Sequence, residues 1–264
     1  MKKDQFVIAC LPDPSAADTV LPYARQFAAR LGKGLIALNV SADGENQWIA
    51  QYGVPYAGLK GDWKTAIDGL PTAFGGVVAV TTVDPTAPRS SLANPATMLK
   101  AFADCKIAFI ALPAKGCQLP TCTYLTLDHR RESKEKLIWG SYMVRFFGSQ
   151  LTVAIPDYRD EGLRAKVHNN ILFMKKVYKS LDVNYSLHTF QYSLLASRTS
   201  PDGVLLSQMT NAGTTMLIAM TTDRRDRDVG DWLLGPPERR LLAAGCPVPI
   251  LFLNQRDDLY VLCD

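Results

Sequence analysis

No apolar run in this sequence approaches the length of a membrane span. The short run near the start, FVIACL within MKKDQFVIACL, is too brief for a signal-peptide core and no cleavage site follows it. A cytoplasmic location is the expectation. Histidine is scarce: His129, His168 and His188 share no ligand spacing, and Cys117 and Cys122 lack the second Cys/His pair a zinc site would use. No metal site is expected. There is no Ser/His/Asp order, nucleophile elbow or matched pair of carboxylates, so no enzyme active site shows itself. Basic runs interleaved with aromatics are also missing. The 29 Lys and Arg are scattered among 25 Asp and Glu, and a net charge of +4 gives little support to nucleic-acid binding. With no secretory context, the six cysteines are expected to be reduced thiols.

What is present is ordinary globular composition, 47% apolar and 20% charged, over 264 residues. That length suits one large domain or two small ones, and an internal repeat favours two. The stretch Met216 to Leu253 reads as an apolar strand, a polar loop, a helix from about Pro236 to Ala244, and a second apolar strand from Val248. Such short runs of large aliphatic residues have the length of parallel strands covered on both faces. A weaker copy runs from Gly76 to Val83, through Asn94 to Asp104, to Lys106–Leu112. In both copies an X-Pro pair, Asn94-Pro95 or Gly235-Pro236, begins eleven residues before a cysteine, Cys105 or Cys246.

Each half starts the same way. Phe6 to Leu11 is a strand, Ser15 or Asp18 can cap a helix carrying Val20, Tyr23, Ala24, Phe27, Ala28 and Leu31, Gly32 stops it, and Leu35 to Val40 is the next strand. A weak strand at Val54 to Leu59 and a helix capped by Asp62 lead into Gly76 to Val83. After a Pro/Gly-rich linker the cycle restarts: strand Thr123 to Asp128, helix Glu132 to Phe147, stop at Gly148, strand Leu151 to Ile155. The second half then adds a long helix with Leu163, Val167, Ile171, Met174, Val177 and Leu181 on one face, and a strand from Asn184 to Tyr192. The reading is α/β: two tandem five-stranded doubly wound parallel-sheet domains, over 1–115 and 123–264, joined by 116–122.

This pattern resembles the universal stress protein family. In the second half the matching residues are Leu125-Thr126-Leu127-Asp128, the strand Met216 to Met220, Leu233-Leu234-Gly235 with Glu238-Arg239, and Cys246-Pro247-Val248. The first half matches through Gly61-Asp62, Gly76 to Val83, Asn94-Pro95 and Cys105 to Leu112. The resemblance implies an adenine nucleotide alpha hydrolase-like fold, a place in stress response and, in the nucleotide-binding branch, a loop of pattern G-x2-G-x9-G-[ST] that cradles phosphates. Here the first two glycine positions fall on Thr222 and Arg225, and the final Ser/Thr position on Pro236. The first half has no glycine in its loop, and Pro95 and Pro236 each remove an N–H that a phosphate would use. The motif is degenerate in both halves.

The first expectation is therefore a non-catalytic binding or regulatory module. The alternative is an ATP- or AMP-binding stress sensor or slow ATPase, using a second-half pocket formed by Asp128, Ile155, Thr222, Arg224, Arg225 and Gly235. A third possibility is an enzyme of the related nucleotide-hydrolase or electron-transfer flavoprotein group, for which turnover or a bound flavin would be the sign. Asp128 could hold an adenosine or cap the following helix. Gly235 could meet a phosphate, although a tight helix start with Pro236 at the first position is favoured. For the alternating charges Asp223 to Asp228 and for His129-Arg130-Arg131, solvated surface is favoured over anion binding. The last strand of each half is apolar on both faces yet would end a sheet, which is an association hazard unless paired. In the family such strands pair across a dimer axis, so the two halves are expected to form an intramolecular pseudo-dimer, with a further homodimer left open.

Overall fold

The structure, a computed structural model, describes residues 4–41, 47–192, 200–209, 214–222, 236–243 and 246–254. In chain order the elements are β1 (Phe6–Cys10), α1 (Pro14–Leu31), β2 (Gly34–Ser41), β3 (Tyr56–Lys60), α2 (Trp63–Asp68), α3 (Leu70–Ala73), β4 (Gly76–Val83), α4 (Pro95–Phe102) and β5 (Ala108–Pro113). They continue with β6 (Cys122–Thr126), α5 (Lys136–Phe147), β7 (Gln150–Asp157), α6 (Glu161–Ser180), β8 (Tyr185–Gln191), α7 (Pro201–Gln208), β9 (Thr215–Met220), α8 (Pro237–Ala243) and β10 (Ile250–Leu253). Short 3-10 helices cover Gln47–Tyr52 and Arg131–Glu135. Among the described residues no helix is long and apolar enough to cross a membrane.

The chain divides into two compact units, Met1–Leu119 with Leu242–Asn254, and Pro120–Leu241 with Gln255–Asp264. In the first, the strands lie in the order β3-β2-β1-β4-β5-β10, parallel except for β10. β4 and β5 are almost wholly buried, as their unbroken apolar runs require of strands covered on both faces. α1 begins earlier than Ser15 or Asp18: Asp13 is its N-cap, accepting from the N–H of Ala16 at 3.1 Å. Pro14 explains the difference, because a fixed φ and a missing N–H both suit the first helical position.

The sequence places Val248 to Leu253 with the second half, but the strand it forms, β10, belongs to the first unit. Ile250, Leu251 and Phe252 run antiparallel against Ala111, Ile110 and Phe109 of β5. An apolar sheet edge is thereby covered. The rings of Phe102, Phe109 and Phe252 stack in succession, with centroids 4.3 and 5.0 Å apart. Asn254, just past β10, donates its amide to the carbonyls of Phe102 (2.6 Å) and Cys105 (2.7 Å), satisfying groups at the end of α4.

In the second unit the order is β9-β6-β7-β8, all parallel. Gly148 ends α5 as Gly32 ends α1, both in the left-handed conformation that glycine adopts without a steric penalty. These two glycines, 116 positions apart, set the register of the repeat: Phe6 pairs with Gly34 and, 116 positions later, Cys122 pairs with Gln150. The buried stripe of α6 is Val167, Asn170, Met174 and Tyr178. Ile171 and Val177 are half-buried and Leu181 lies beyond the helix at 49% exposure, unlike the expected stripe. The stripe is rotated because Asn170 turns inward to donate to the carbonyls of Asp128 and Arg130.

Candidate functional site at the carboxyl ends of the second-unit strands

Ligands of open α/β sheets sit beyond the carboxyl ends of the strands. In the second unit this edge is built by β6, β7 and β9. Leaving β6, the chain runs through Leu127 and Asp128 into the 3-10 turn before α5. Asp128 is 1% exposed. Its Oδ1 accepts the Arg130 backbone N–H at 3.0 Å, and its Oδ2 accepts Arg130 Nε at 2.9 Å and lies 2.7 Å from Arg130 Nη2. Its own backbone is fixed as well, with the N–H donated to Ser133 Oγ at 3.1 Å and the carbonyl held by Asn170. Ser133 Oγ in turn donates to the Thr126 carbonyl. Asp128 thus closes a turn on Arg130; neither the 3-10 helix nor α5 has a side-chain cap. Arg130, for which solvent was favoured, is instead held by this carboxylate, whereas Arg131 is exposed.

A second buried pair lies behind the first. Lys136, wholly buried at the start of α5, donates to Thr126 Oγ1 at 2.7 Å and stands 3.7 Å from Asp202 Oδ1 of α7. Thr126 Oγ1 donates to the same Asp202 oxygen. The charges set one another's protonation. Burial alone would raise the Asp128 pKa, but Arg130 and Lys136 outweigh it and hold the carboxyl below its usual range. The Asp128 charge raises Arg130 further despite burial. Lys136 is lowered by burial, which Asp202 and Asp128 oppose only in part. His129 is likewise lowered by burial, with Asp128 opposing; its Nδ1 meets Tyr158 Oη at 3.1 Å.

Of the residues singled out from sequence, the fold brings Asp128, Ile155 and Thr222 to the ends of three neighbouring strands. Ile155 is a buried side chain of β7, 7% exposed. Thr222, two residues past β9, donates to Glu238 Oε2 of α8 at 3.1 Å, and Glu238 is itself buried. Arg224, Arg225 and Gly235 lie outside the described residues. Sequence reasoning passed over Lys136, Asn170 and Asp202, and gave Thr126 no role beyond its place in Leu125-Thr126-Leu127-Asp128. Lys136 left one trace, a cation among the Leu137, Gly140, Ser141 and Met143 positions that form the buried face of α5.

No protein-family model matches the sequence, and no curated protein matches it either. Solved structures do. A universal stress protein from Archaeoglobus fulgidus DSM 4304 superposes with a TM-score of 0.66 at 14% identity, over 96% of this chain and 97% of that one. A protein described as a universal stress protein from Pseudomonas aeruginosa UCBPP-PA14 gives 0.64 at 13% identity, over 99% and 96%. A functionally unknown protein from Pseudomonas aeruginosa PAO1 gives 0.61 at 12%, again over 99% and 96%. Across its length, the chain has the fold of the universal stress proteins.

Proposed function

We propose that this chain is a non-catalytic binding or regulatory module of the universal stress protein type, acting in the cytoplasm in stress response, with adenine-nucleotide binding impaired. One observation carries the reading: Asp128, the carboxylate that could hold an adenosine, is already claimed by its own chain. Both oxygens of Asp128 are engaged by Arg130, and the group is buried. A nucleoside hydroxyl could reach it only by opening the turn that buries it, and would compete there with charge-assisted contacts. The loop sequence points the same way, since glycine is absent from the first two phosphate positions and Pro236 stands at the final Ser/Thr position.

A thermal melt at millimolar ATP or AMP tests this directly. The expected result is an unchanged midpoint, because a ligand stabilises only in proportion to its occupancy of the folded state. A nucleotide-dependent rise that Gly235→Asp abolishes would overturn it. That outcome would favour the second reading, an ATP- or AMP-binding sensor or slow ATPase, which draws support from the convergence of Asp128, Ile155 and Thr222 on one sheet edge. Co-purified nucleotide detected by mass spectrometry would speak for the same alternative.

A further inference from the structure

Away from the carboxyl edge, the sheet face bordered by α7 carries a row of hydroxyls. Tyr124 of β6 pairs in register with Thr152 of β7, and Thr152 with Ser186 of β8, so the three side chains lie side by side across three strands. Thr152 Oγ1 and Ser186 Oγ are 2.9 Å apart. The row floors a cavity of about 440 Å³, within the size range of small-molecule sites. His188, one pleat further along β8, and Gln208 of α7 also line it, and the mouth is open, since Ser186 and His188 are exposed.

The repeat supplies an internal control. In the register set by Gly32 and Gly148, Tyr124 corresponds to Ile8, and Thr152 to Ile36, which pair with each other in the first unit. For the next strand the match follows from pairing and not from the 116-residue offset: His188 pairs with Ala154 as Ala57 pairs with Leu38, which places Ser186, two residues before His188, at Pro55. The same fold is therefore built with apolar residues at all four places. The fold therefore does not require polar side chains at these places, and the second unit carries them where they line an open cavity.

We propose that this cavity binds an uncharged, hydroxyl-rich ring compound of mono- or disaccharide size. Among the described residues no Asp, Glu, Lys or Arg lines it, so an ionised ligand would lose hydration there with no opposite charge from them in return. Hydroxyls, an amide and an imidazole each donate and accept, which matches a ligand whose own groups do both. Leu205 and Met209, with the ring of Tyr124, supply apolar surface for the C–H side of such a ring. The site is separate from Asp128, and the inference holds whether or not the carboxyl edge takes a nucleotide.

Saturation-transfer NMR on the full chain tests it, with glucose, trehalose and myo-inositol as uncharged probes and glucose 6-phosphate and gluconate as charged ones. We expect transfer to at least one uncharged probe, none to the charged pair, and loss of transfer in Tyr124→Ile/Thr152→Ile, which installs the first unit's residues and should keep or raise the thermal midpoint. Should that variant fail to fold, Ser186→Val on the exposed edge strand gives the same comparison. Silence from all three uncharged probes, equal transfer to the charged ones, or transfer that survives in a folded variant overturns the proposal.

Discussion

Arg130 grips the carboxylate of Asp128 two residues before it from three sides at once, through its backbone N–H, Nε and Nη2, at 3.0, 2.9 and 2.7 Å. Removing the negative partner would leave a guanidinium in a largely buried place without compensation. Asp128→Asn should therefore cost roughly 3 kcal/mol, the low end for a broken buried pair because the Arg130 side chain keeps 31% exposure. Urea denaturation at neutral pH would measure it. The pH dependence has a definite sign. Despite burial, Arg130 and Lys136 hold the native carboxyl below its unfolded value, so its contribution is complete above about pH 4 and drains away as pH falls through the native value. The acid limb of the stability profile should be steep in the parent chain and shallower in the Asn variant. Equal slopes would show that Asp128 does not titrate with folding.

Lys136 and Asp202 offer a double-mutant cycle. Each single change, Lys136→Met or Asp202→Asn, strands the other group out of water, and each should destabilise by about 2–4 kcal/mol. The double variant should lose less than the sum, with a coupling of about 1–3 kcal/mol, because Thr126 can bond to what remains. Burial lowers the native lysine below its unfolded value of about 10.4. Between those two values the unfolded chain binds more protons, so stability should rise with pH there, and Lys136→Met should remove the rise. Additive singles would mean the 3.7 Å approach carries no energy.

The parts of this fold that follow from periodicity could be read in the sequence, and those that depend on polar contacts across elements could not. FVIAC, GVVAV and MLIAM announce buried strands because each is a short unbroken run of apolar residues. Gly32 and Gly148 mark helix ends because a left-handed residue is wanted there. The same reasoning missed Asn170 and Lys136, polar residues on apolar faces: Asn170 bonds Asp128, 42 residues away, and the charge facing Lys136 is Asp202 of a distant helix. It assigned Leu181 to a buried stripe for a related reason, since the rotation of α6 is not encoded locally; the meeting of the two closing strands it did read, from their apolar faces, and β10 lies against β5. Asp128 was identifiable as a site residue, but a two-residue spacing to Arg130 gives no warning that the pair will close on itself.

Gly140 and Tyr178 make a prediction that separates packing from propensity. A methyl group at Gly140 would come 2.6 Å from Tyr178 Oη and 3.0 Å from Leu125 Cδ2. Gly140→Ala should therefore cost about 1–3 kcal/mol by overpacking, reversing the gain alanine usually brings inside a helix. Tyr178 Oη is buried and finds no hydrogen-bond partner, so Tyr178→Phe should be neutral or mildly stabilising. In Gly140→Ala/Tyr178→Phe the closest obstructing atom is gone, and much of the loss should return. Thermal melts of the three variants decide it; no rescue would place the clash on Leu125.

The pairing of β10 with β5 bears on association. Left bare, β5 would present an apolar edge able to recruit another chain; covered, it has no such need. We expect the intact protein to run at the mass of one chain in light scattering. Phe252 is the residue to probe, since its ring ends the Phe102–Phe109–Phe252 stack and it is fully buried. Phe252→Ala should cost about 3–5 kcal/mol in transfer and cavity terms. It should also loosen the strand enough for concentration-dependent self-association to appear. Asn254→Ala, which removes a donor from the carbonyls of Phe102 and Cys105 but leaves the stack alone, should cost about 1 kcal/mol and leave the mass unchanged. Were the parent chain already dimeric, the covered edge would not be what limits association; were Phe252→Ala to lose stability yet stay monomeric, the strand would hold through its backbone ladder, with the aromatic stack adding energy alone.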